Sequence, residues 1–329
     1  MNSTHHPHPA PVREICHPPH LGLGIDTGGT QTRWALAGVD EEIIASGTAE
    51  GLSALNFNSL EGKNTFQQVF SGLAATAGAH GILQTVRAGI TGFGGDVVHL
   101  QSMLAKIFGL PEHHIRVGND IEIAYLDIFR PGTGYLIYAG TGSIAAYIDE
   151  HAKFHRAGGR GYLLDDGGGG FWIAREALRH IWRLEDEQPE QWRESALGRN
   201  VFHLIGGHDW NHSREFIYHR SRGDIGKLAL AVASAAENDE VALDILKRAG
   251  EELARLGIAM CKRFGNKPIV LSGRVQELHP IIAESVKQHL PAEISFRQST
   301  CHAHFSAARL AARQLQSLSL SSTLPPTFS

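Results

Sequence analysis

The chain has 329 residues, of which 42% are hydrophobic and 19% charged, and its formal net charge is −4. This composition is typical of a globular protein, and a weakly acidic chain has no electrostatic reason to bind nucleic acid or an anionic membrane. No apolar run approaches the roughly 20 residues that a membrane span requires, and the first 20 residues contain no signal-peptide core. We therefore expect a cytoplasmic protein with neither partner.

Three cysteines, Cys16, Cys261 and Cys301, are widely separated and odd in number. This pattern argues against a disulfide framework or a paired zinc site and suits a reducing compartment. The His- and Pro-rich segment 1–20 and the Ser-rich segment 316–329 are predicted to be flexible tails.

Hydrophobic periodicity predicts an α/β protein in which one pattern occurs twice. The first unit has three strands followed by helix, strand, helix and strand; the strands lie near 21–26, 34–38, 42–48, 86–91 and 114–117, and the helices near 61–79 and 96–108. The pattern restarts at "GTGYLIYAGTGS", and longer helices follow near 171–184, 190–204, 224–236 and 239–264, before the strand "PIVLSG" and a terminal helix. We expect two related domains, 21–120 and 121–315, facing one another across a cleft.

Two turns rich in Gly and Thr occupy matching positions in the two units, "DTGGT" at 26–30 and "AGTGS" at 139–143. Such turns present backbone N–H groups and hydroxyls to phosphate oxygens, so the pair is predicted to clamp a polyphosphate. Neither contains the lysine of a P-loop. Asp26 is placed to hold Mg²⁺ through water, while Thr30 meets phosphate oxygens. For the first turn alone, a plain tight hairpin remains the alternative.

A further carboxylate, Asp120, ends the strand pattern "RVGND" and precedes the helical "IEIAYLDI". A carboxylate at a strand end, in the crevice where α/β folds bind ligands, is able to accept a proton from an attacking hydroxyl. The same position suits a helix N-cap, and the sequence leaves the two interpretations open.

Two Gly-containing segments of the second unit are also candidates. The run "DDGGGG" at 165–170 brings Asp165 and Asp166 to either a surface turn or a loop that closes on substrate. In "PIVLSGRV", Gly273 would let an adenine ring lie against the backbone with Arg274 beside it, and a plain strand-to-helix turn is the alternative.

Taken together, "IDTGGTQTR", "VGNDIEIA", "AGTGS", "GRGYLLDDGGGGFWI" and "LSGRV" resemble the actin-like ATPase and sugar-kinase superfamily. Within it the chain resembles the N-acetylglucosamine kinase branch, which shares a broad family with acyl-CoA dehydratase activator ATPases. The resemblance covers about residues 21–315. It implies two RNase H-like domains, with ATP and sugar in a cleft that closes on substrate and with the last helix packing back towards the N-terminal domain.

The resemblance also implies roles for individual residues. Asp120 corresponds to the general base that activates the sugar hydroxyl. The ATP site corresponds to Asp26, which also holds Mg²⁺, and to Gly28, Gly29, Thr30, Gly140, Thr141, Gly142, Gly226, Gly273 and Arg274. The sugar site corresponds to Asn56, Asn119, Asp120, Ser143, Gly159, Arg160, Gly161 and Asp166.

The predicted function is therefore ATP-dependent phosphorylation of an amino sugar, N-acetylglucosamine, at its 6-hydroxyl. Glucosamine or another hexose derivative is the competing substrate, and a non-catalytic sugar sensor is the competing function. Arg160 stands where aromatic residues are common in such kinases, and "DDGGGG" replaces "GDEGSG". A cluster-bearing activator is disfavoured because the three cysteines are not arranged to bridge two subunits. A homodimer is left open.

Overall fold

The computed structural model describes residues 18–29, 31–52, 59–92 and 97–322. Its first sheet has the strand order β3-β2-β1-β4-β5. These strands are β1 His20–Thr27, β2 Gln31–Ala37, β3 Ile43–Glu50, β4 Ile82–Ile90 and β5 Ile115–Asn119. The central strand β1 pairs antiparallel with β2 and parallel with β4.

The second sheet repeats this arrangement. It has the order β10-β9-β6-β7-β8, with β6 pairing antiparallel with β7 and parallel with β9. Its strands are β6 Tyr135–Ala139, β7 Ser143–Ile148, β8 Phe154–Gly158, β9 Ile269–Ser272 and β10 Phe296–Gln298. The predicted restart of one α/β pattern is therefore confirmed, because both sheets have one central strand with the same neighbours in the same directions.

Two helices cover one face of the first sheet. Helices α1 Leu60–His80 and α2 Val97–Phe108 share a core with the fully buried Leu21, Leu23 and Ile25 of β1. Helix α1 begins at Ser59, whose hydroxyl accepts a hydrogen bond from the backbone N–H of Gly62.

The opposite face of β1 is covered by α11, Ala303–Ser322. A Cβ added to Gly22 would lie 2.5 Å from the backbone nitrogen of Ala312, so the close approach of the helix depends on glycine. Thr85 in β4 donates a hydrogen bond of 2.8 Å to the Ala311 carbonyl, which ties the helix to the next strand. The helix runs past residue 315, where the sequence predicted the last element to end.

The remaining helices follow β5, β8 and β9. They are α3 Asp120–Ile128, α4 Gly170–Glu187, α5 Ala196–Ile205, α6 Trp210–His219, α7 Arg222–Gly226, α8 Leu228–Ala235, α9 Glu240–Phe264 and α10 Pro280–His289. The structure adds α6, α10 and β10 to the predicted elements and divides the expected helix 224–236 at Lys227. The buried part of α6 is Ser213, so its sequence lacks the apolar stripe on which the prediction relied. Across the described ranges, no helix has both the length and the hydropathy of a membrane span.

Candidate active site

The carboxyl ends of β1, β4 and β5 meet at one edge of the first sheet. Their register places Asp26 beside Gly89, and Asn119 beside Ile90. A Cβ added to Gly89 would lie 3.0 Å from the Cα of Asp120, so this glycine makes room for the start of α3. Asp26 and Asp120, predicted from separate motifs, are therefore brought to the same edge.

The capping role that the sequence left open for Asp120 falls to its neighbour. Asn119 is the N-cap of α3, and its side-chain oxygen accepts a hydrogen bond of 2.8 Å from the Ile121 N–H. Asp120 is the first residue of the helix; its carboxylate accepts a 3.0 Å hydrogen bond from the same N–H and another from the Thr91 side chain.

Both carboxylates are desolvated. Burial, followed by the negative charge of Asp120, raises the pKa of Asp26 to about 7, while Arg33, directly opposite on β2, lowers it. Burial also raises the pKa of Asp120, against the opposing effect of its hydrogen bond with Thr91. Asp26 forms no hydrogen bond or ion pair of its side chain with the residues that the structure describes. A desolvated carboxylate without such a partner fits a bound cation, and perturbed pKa values of this kind cluster at functional sites.

The first predicted phosphate turn joins β1 to β2. The Gly28 N–H donates a hydrogen bond of 2.9 Å to the Gln31 carbonyl, which closes a tight hairpin, and Gly29 is exposed at its tip. Thr30 and Asn56 lie outside the described residues.

The second predicted phosphate turn joins β6 to β7 and lies against the start of α4. The Gly140 N–H donates to the Gly142 carbonyl at 2.9 Å. The first N–H groups of α4, from Gly170 and Phe171, donate to the carbonyls of Gly140 and Thr141, each at 2.9 Å. The turn is thus fixed by backbone hydrogen bonds at a helix N-terminus, where the helix dipole favours negative charge.

The two glycines assigned to adenosine have different surroundings. Gly226 in α7 lies against the second turn, since an added Cβ would be 3.4 Å from the Thr141 Cγ2. Gly273 has φ of +98°, and its missing side chain leaves room for the backbone of Ala139 in β6. Gly273 is therefore required by a strand-to-helix turn, and Arg274 begins the short 3-10 helix that follows, where it is exposed.

The glycine run 167–170 is fully buried, so the surface-turn interpretation is wrong. A Cβ on Gly168 would lie 2.7 Å from the Leu253 side chain in α9, and one on Gly169 would lie 2.7 Å from the Cα of Gly142. The run needs glycine because it passes between α9 and the second turn with no space for side chains.

The two aspartates before this run are both held by arginines. Asp166 is 4% exposed with φ of +58°, and its carboxylate lies 3.3 Å from the Arg222 guanidinium. Burial raises the pKa of Asp166, and Arg222 lowers it. Asp165 instead pairs with Arg255 of α9 at 3.2 Å. A Cβ on Gly142 would lie 2.6 Å from Arg222, so the ion pair of Asp166 and Arg222 supports the second turn from behind.

The remaining predicted sugar residues lie at the start of β7 and directly after the end of β8, two strands that are neighbours in the second sheet. The Ser143 hydroxyl is buried and donates a hydrogen bond of 2.6 Å to the Gly167 carbonyl. The Gly159 N–H donates to the Ser143 carbonyl at 3.0 Å. Gly159 and Gly161 have φ of +62° and +90°, and Arg160 between them is exposed.

Sequence reasoning missed Tyr138, whose phenol lies within electrostatic range of both carboxylates. It lies in β6, two residues before Gly140. Burial raises its pKa first, and the charges of Asp26 and Asp120 raise it further. The edge of the second sheet therefore faces the carboxylates of the first. A tyrosine within an apolar strand pattern is indistinguishable from a core residue, so the sequence contains no signal for this proximity.

Comparison with known proteins places this geometry in context. A curated relative, the N-acetylmuramic acid/N-acetylglucosamine kinase of Clostridium acetobutylicum, is 25% identical over 259 residues, covering 76% of this chain and 83% of the relative. The structure of a proposed N-acetylglucosamine kinase from Chromobacterium violaceum aligns with a TM-score of 0.63 at 21% identity, covering 89% of this chain and 98% of that one. The structure of another proposed N-acetylglucosamine kinase, from Porphyromonas gingivalis, aligns with a TM-score of 0.68 at 15% identity, covering 89% of this chain and 99% of that one.

The structural likeness confirms the predicted fold class, α/β with two RNase H-like domains of the actin-like ATPase type. A model of the BadF/BadG/BcrA/BcrD ATPase family matches residues 23–296, which is most of the chain. This match confirms the resemblance identified from the motifs and the prediction of an ATP-dependent enzyme. The chain belongs to the BadF/BadG/BcrA/BcrD ATPase family.

Proposed function

We propose that this protein is an ATP-dependent sugar kinase that phosphorylates N-acetylglucosamine on its 6-hydroxyl. The observation that carries the proposal is the pair of desolvated carboxylates, Asp26 and Asp120, at one sheet edge facing Tyr138 of the other sheet. Membership of an ATPase family supports the nucleotide, and the curated relative from Clostridium acetobutylicum supports the amino sugar.

In this proposal Asp120 is the general base. Its carboxylate takes the proton from the 6-hydroxyl as the oxygen attacks the γ-phosphorus, and the bond from the γ-phosphorus to the bridging oxygen breaks to release ADP. A base works best when its pKa lies near the operating pH, so the raised pKa of Asp120 supports the role. Little other covalent chemistry is needed, because phosphoryl transfer depends mainly on positioning and electrostatic stabilisation.

The nucleotide phosphates lie between the two turns. Gly28 and Gly29 belong to one turn, and residues 140–142 belong to the other, at the N-terminus of α4. Gly226 borders the adenosine beside the second turn, and Gly273, whose Cβ position faces the Ala139 backbone, offers the adenosine only its own backbone. Asp26 is the residue that would hold Mg²⁺, through water, because it is a desolvated carboxylate with no hydrogen bond to a described residue. When bound, Mg²⁺ neutralises charge that develops on the phosphates.

The acceptor sugar is held beside the base. Asn119 uses its side-chain oxygen as the cap of α3, which leaves its amide N–H groups to donate to a sugar hydroxyl. The segment from Gly159 to Gly161 offers backbone groups and the Arg160 guanidinium. Ser143 and Asp166 already bond to Gly167 and Arg222, so their proposed role is to shape this side of the cleft.

A second acceptor, N-acetylmuramic acid, is favoured by one feature of the chain. The curated relative is described as a kinase of both sugars. Arg160 is exposed and flanked by two glycines with positive φ, so its position allows it to reach the carboxylate that distinguishes N-acetylmuramic acid. An aromatic side chain at this position would lack the charge.

The test is ADP release with Mg²⁺ and ATP and a panel of N-acetylglucosamine, N-acetylmuramic acid, glucosamine and glucose. We expect the N-acetylated sugars to exceed glucosamine and glucose in kcat/KM. The variant Arg160→Leu should lose kcat/KM for N-acetylmuramic acid by about tenfold, the value of roughly one charge-assisted hydrogen bond, and retain it for N-acetylglucosamine. Absence of sugar-dependent ADP release throughout the panel contradicts the kinase, and a preference for glucosamine contradicts the acetylated substrate.

A further inference from the structure

A cavity lies outside the candidate active site, at the open edge of the first sheet. Its volume is about 680 Å³, and it lies between β4, β5, α3 and α11. Its polar lining consists of Arg87, His113, Arg116, Glu122, Arg313 and Gln314, with Leu310 as an apolar wall. The nucleotide and sugar proposed above use none of these side chains.

The strand register explains why basic side chains collect here. Arg87 on β4 is the direct partner of Arg116 on the parallel strand β5, so both side chains leave the same face of the sheet. On the other side of β4, Gly24 of β1 is the direct partner of Arg87, so the three residues lie side by side across the sheet. Thr85, two residues before Arg87, bonds to the Ala311 carbonyl of α11, which identifies this face as the one that α11 covers. The two guanidinium groups therefore enter the gap beside that helix.

Arg87 carries a positive charge that no ion pair with a described residue neutralises. It is half-buried and forms no hydrogen bond or ion pair with any of them. Burial lowers its pKa, while Glu122 raises it from beyond ion-pair distance. A desolvated cation without a hydrogen-bonded partner is unfavourable, and a bound anion would remove that cost.

The charges around the cavity leave an excess of positive charge. Arg313 pairs with Glu41 at 2.9 Å and is thereby compensated. The other charged side chains of the lining are Arg87, Arg116 and Glu122, so with His113 counted as neutral two positive charges and one negative charge leave a net charge of +1. Gln314 adds an amide at the rim.

We propose that this cavity binds a phosphate-bearing small molecule through Arg87 and Arg116. Guanidinium groups bind phosphate oxygens in a bidentate manner, and two on neighbouring strands form a fork around one phosphate. A volume of about 680 Å³ is in the range of small-molecule sites and exceeds what inorganic phosphate fills. The remaining space beside Leu310 and Gln314 suits a polar organic group of sugar size.

The cavity and the candidate active site are adjacent but separate. Asp26 is two residues beyond Gly24 on the same strand face, and Glu122 is two residues beyond Asp120 in α3. An added Cβ on Gly118 would lie 3.0 Å from the Glu122 carboxylate, so this side chain lies against β5 just before the strand reaches the catalytic edge. A ligand here therefore contacts the helix that begins with Asp120.

The test is thermal unfolding of the full chain with increasing inorganic phosphate or glucose 6-phosphate, at ionic strength held constant with NaCl. Above its Kd, each tenfold increase in ligand should raise the wild-type Tm by roughly 2 °C for a chain of this length. Arg87→Met and Arg116→Met should each weaken binding by at least about tenfold and abolish most of the shift. Arg214→Gln, which removes an exposed charge on α6, should retain it.

The two ligands distinguish the source of the phosphate. A larger shift with glucose 6-phosphate identifies an organic phosphate as the occupant, and equal shifts identify inorganic phosphate. Arg87 and Arg116 are not part of the candidate active site, so loss of the shift in their variants, while Asp120→Asn keeps it, assigns the ligand to this cavity whatever the outcome of the kinase assays. Without phosphate, Arg87→Met should melt no lower than wild type because it removes a charge that has no ion-pair partner. Arg116→Met should likewise keep the wild-type Tm because it changes an exposed side chain. A shift that persists in both arginine variants overturns the proposal.

Discussion

Replacing Asp26 by Asn removes the carboxylate whose pKa is raised to about 7 by burial and by Asp120. A carboxyl group with a folded-state pKa above its unfolded value binds more protons when folded. Its contribution therefore destabilises the folded state as pH rises from the unfolded pKa, near 3.8, towards 7. Each pKa unit corresponds to about 1.4 kcal/mol. Between pH 5 and pH 8 the wild type should lose about 3 kcal/mol of unfolding free energy through this residue.

The assay is urea unfolding at pH 5, 6, 7 and 8, without Mg²⁺ or nucleotide. Asp26→Asn should lack the part of the wild-type decline that is due to Asp26, so the variant gains relative stability as pH rises. Asp186→Asn, which removes an exposed carboxylate from α4, is the matched control and should follow the wild-type profile. Parallel profiles for Asp26→Asn and wild type, within about 0.5 kcal/mol, would refute the argument that Asp26 is desolvated.

Two further predictions concern the second turn. Gly169→Ala places a Cβ 2.7 Å from the Cα of Gly142, so we expect about 1–3 kcal/mol of destabilisation and a higher KM for ATP. The control is Gly72→Ala, where nothing lies within 4 Å of the added Cβ, and this variant should melt at or above the wild-type Tm. Equal behaviour of the two variants contradicts the packing argument. Arg222→Met should raise the pKa of Asp166 further, because it removes the charge that lowers this pKa. Since the Arg222 side chain is 39% exposed, we expect the free energy of unfolding to fall by only about 1–2 kcal/mol at pH 8. The loss should be smaller at pH 5, where the carboxyl group is more protonated. Tm values at the two pH values check this, and a larger deficit at pH 5 contradicts it.

The features that sequence alone predicted are those with local causes. The two sheets follow from strand patterns, and the shared edge of Asp26 and Asp120 follows from parallel strands that must end together. Glycines in turns are also visible in a sequence, which is why both hairpins were predicted.

The features that sequence alone missed depend on contacts between distant segments. Arg222 neutralises Asp166, and Arg255 neutralises Asp165, yet no periodicity links these residues. Without those partners, Asp165 looked available for a ligand. For Gly273 the sequence offered a strand-to-helix turn as one interpretation, but not the contact that requires glycine, because the backbone that needs its empty Cβ position belongs to β6.

The central claim is that Asp120 removes the proton from the acceptor sugar, and the most direct measurement is kcat of Asp120→Asn beside its affinity for N-acetylglucosamine. The asparagine keeps the shape of the side chain but cannot accept the proton at neutral pH. We expect kcat to fall by roughly 10²–10⁴-fold, with the calorimetric Kd for the sugar within a few-fold of wild type and the Tm preserved. A variant that binds the sugar and keeps kcat within about threefold of wild type would contradict the assignment of the base.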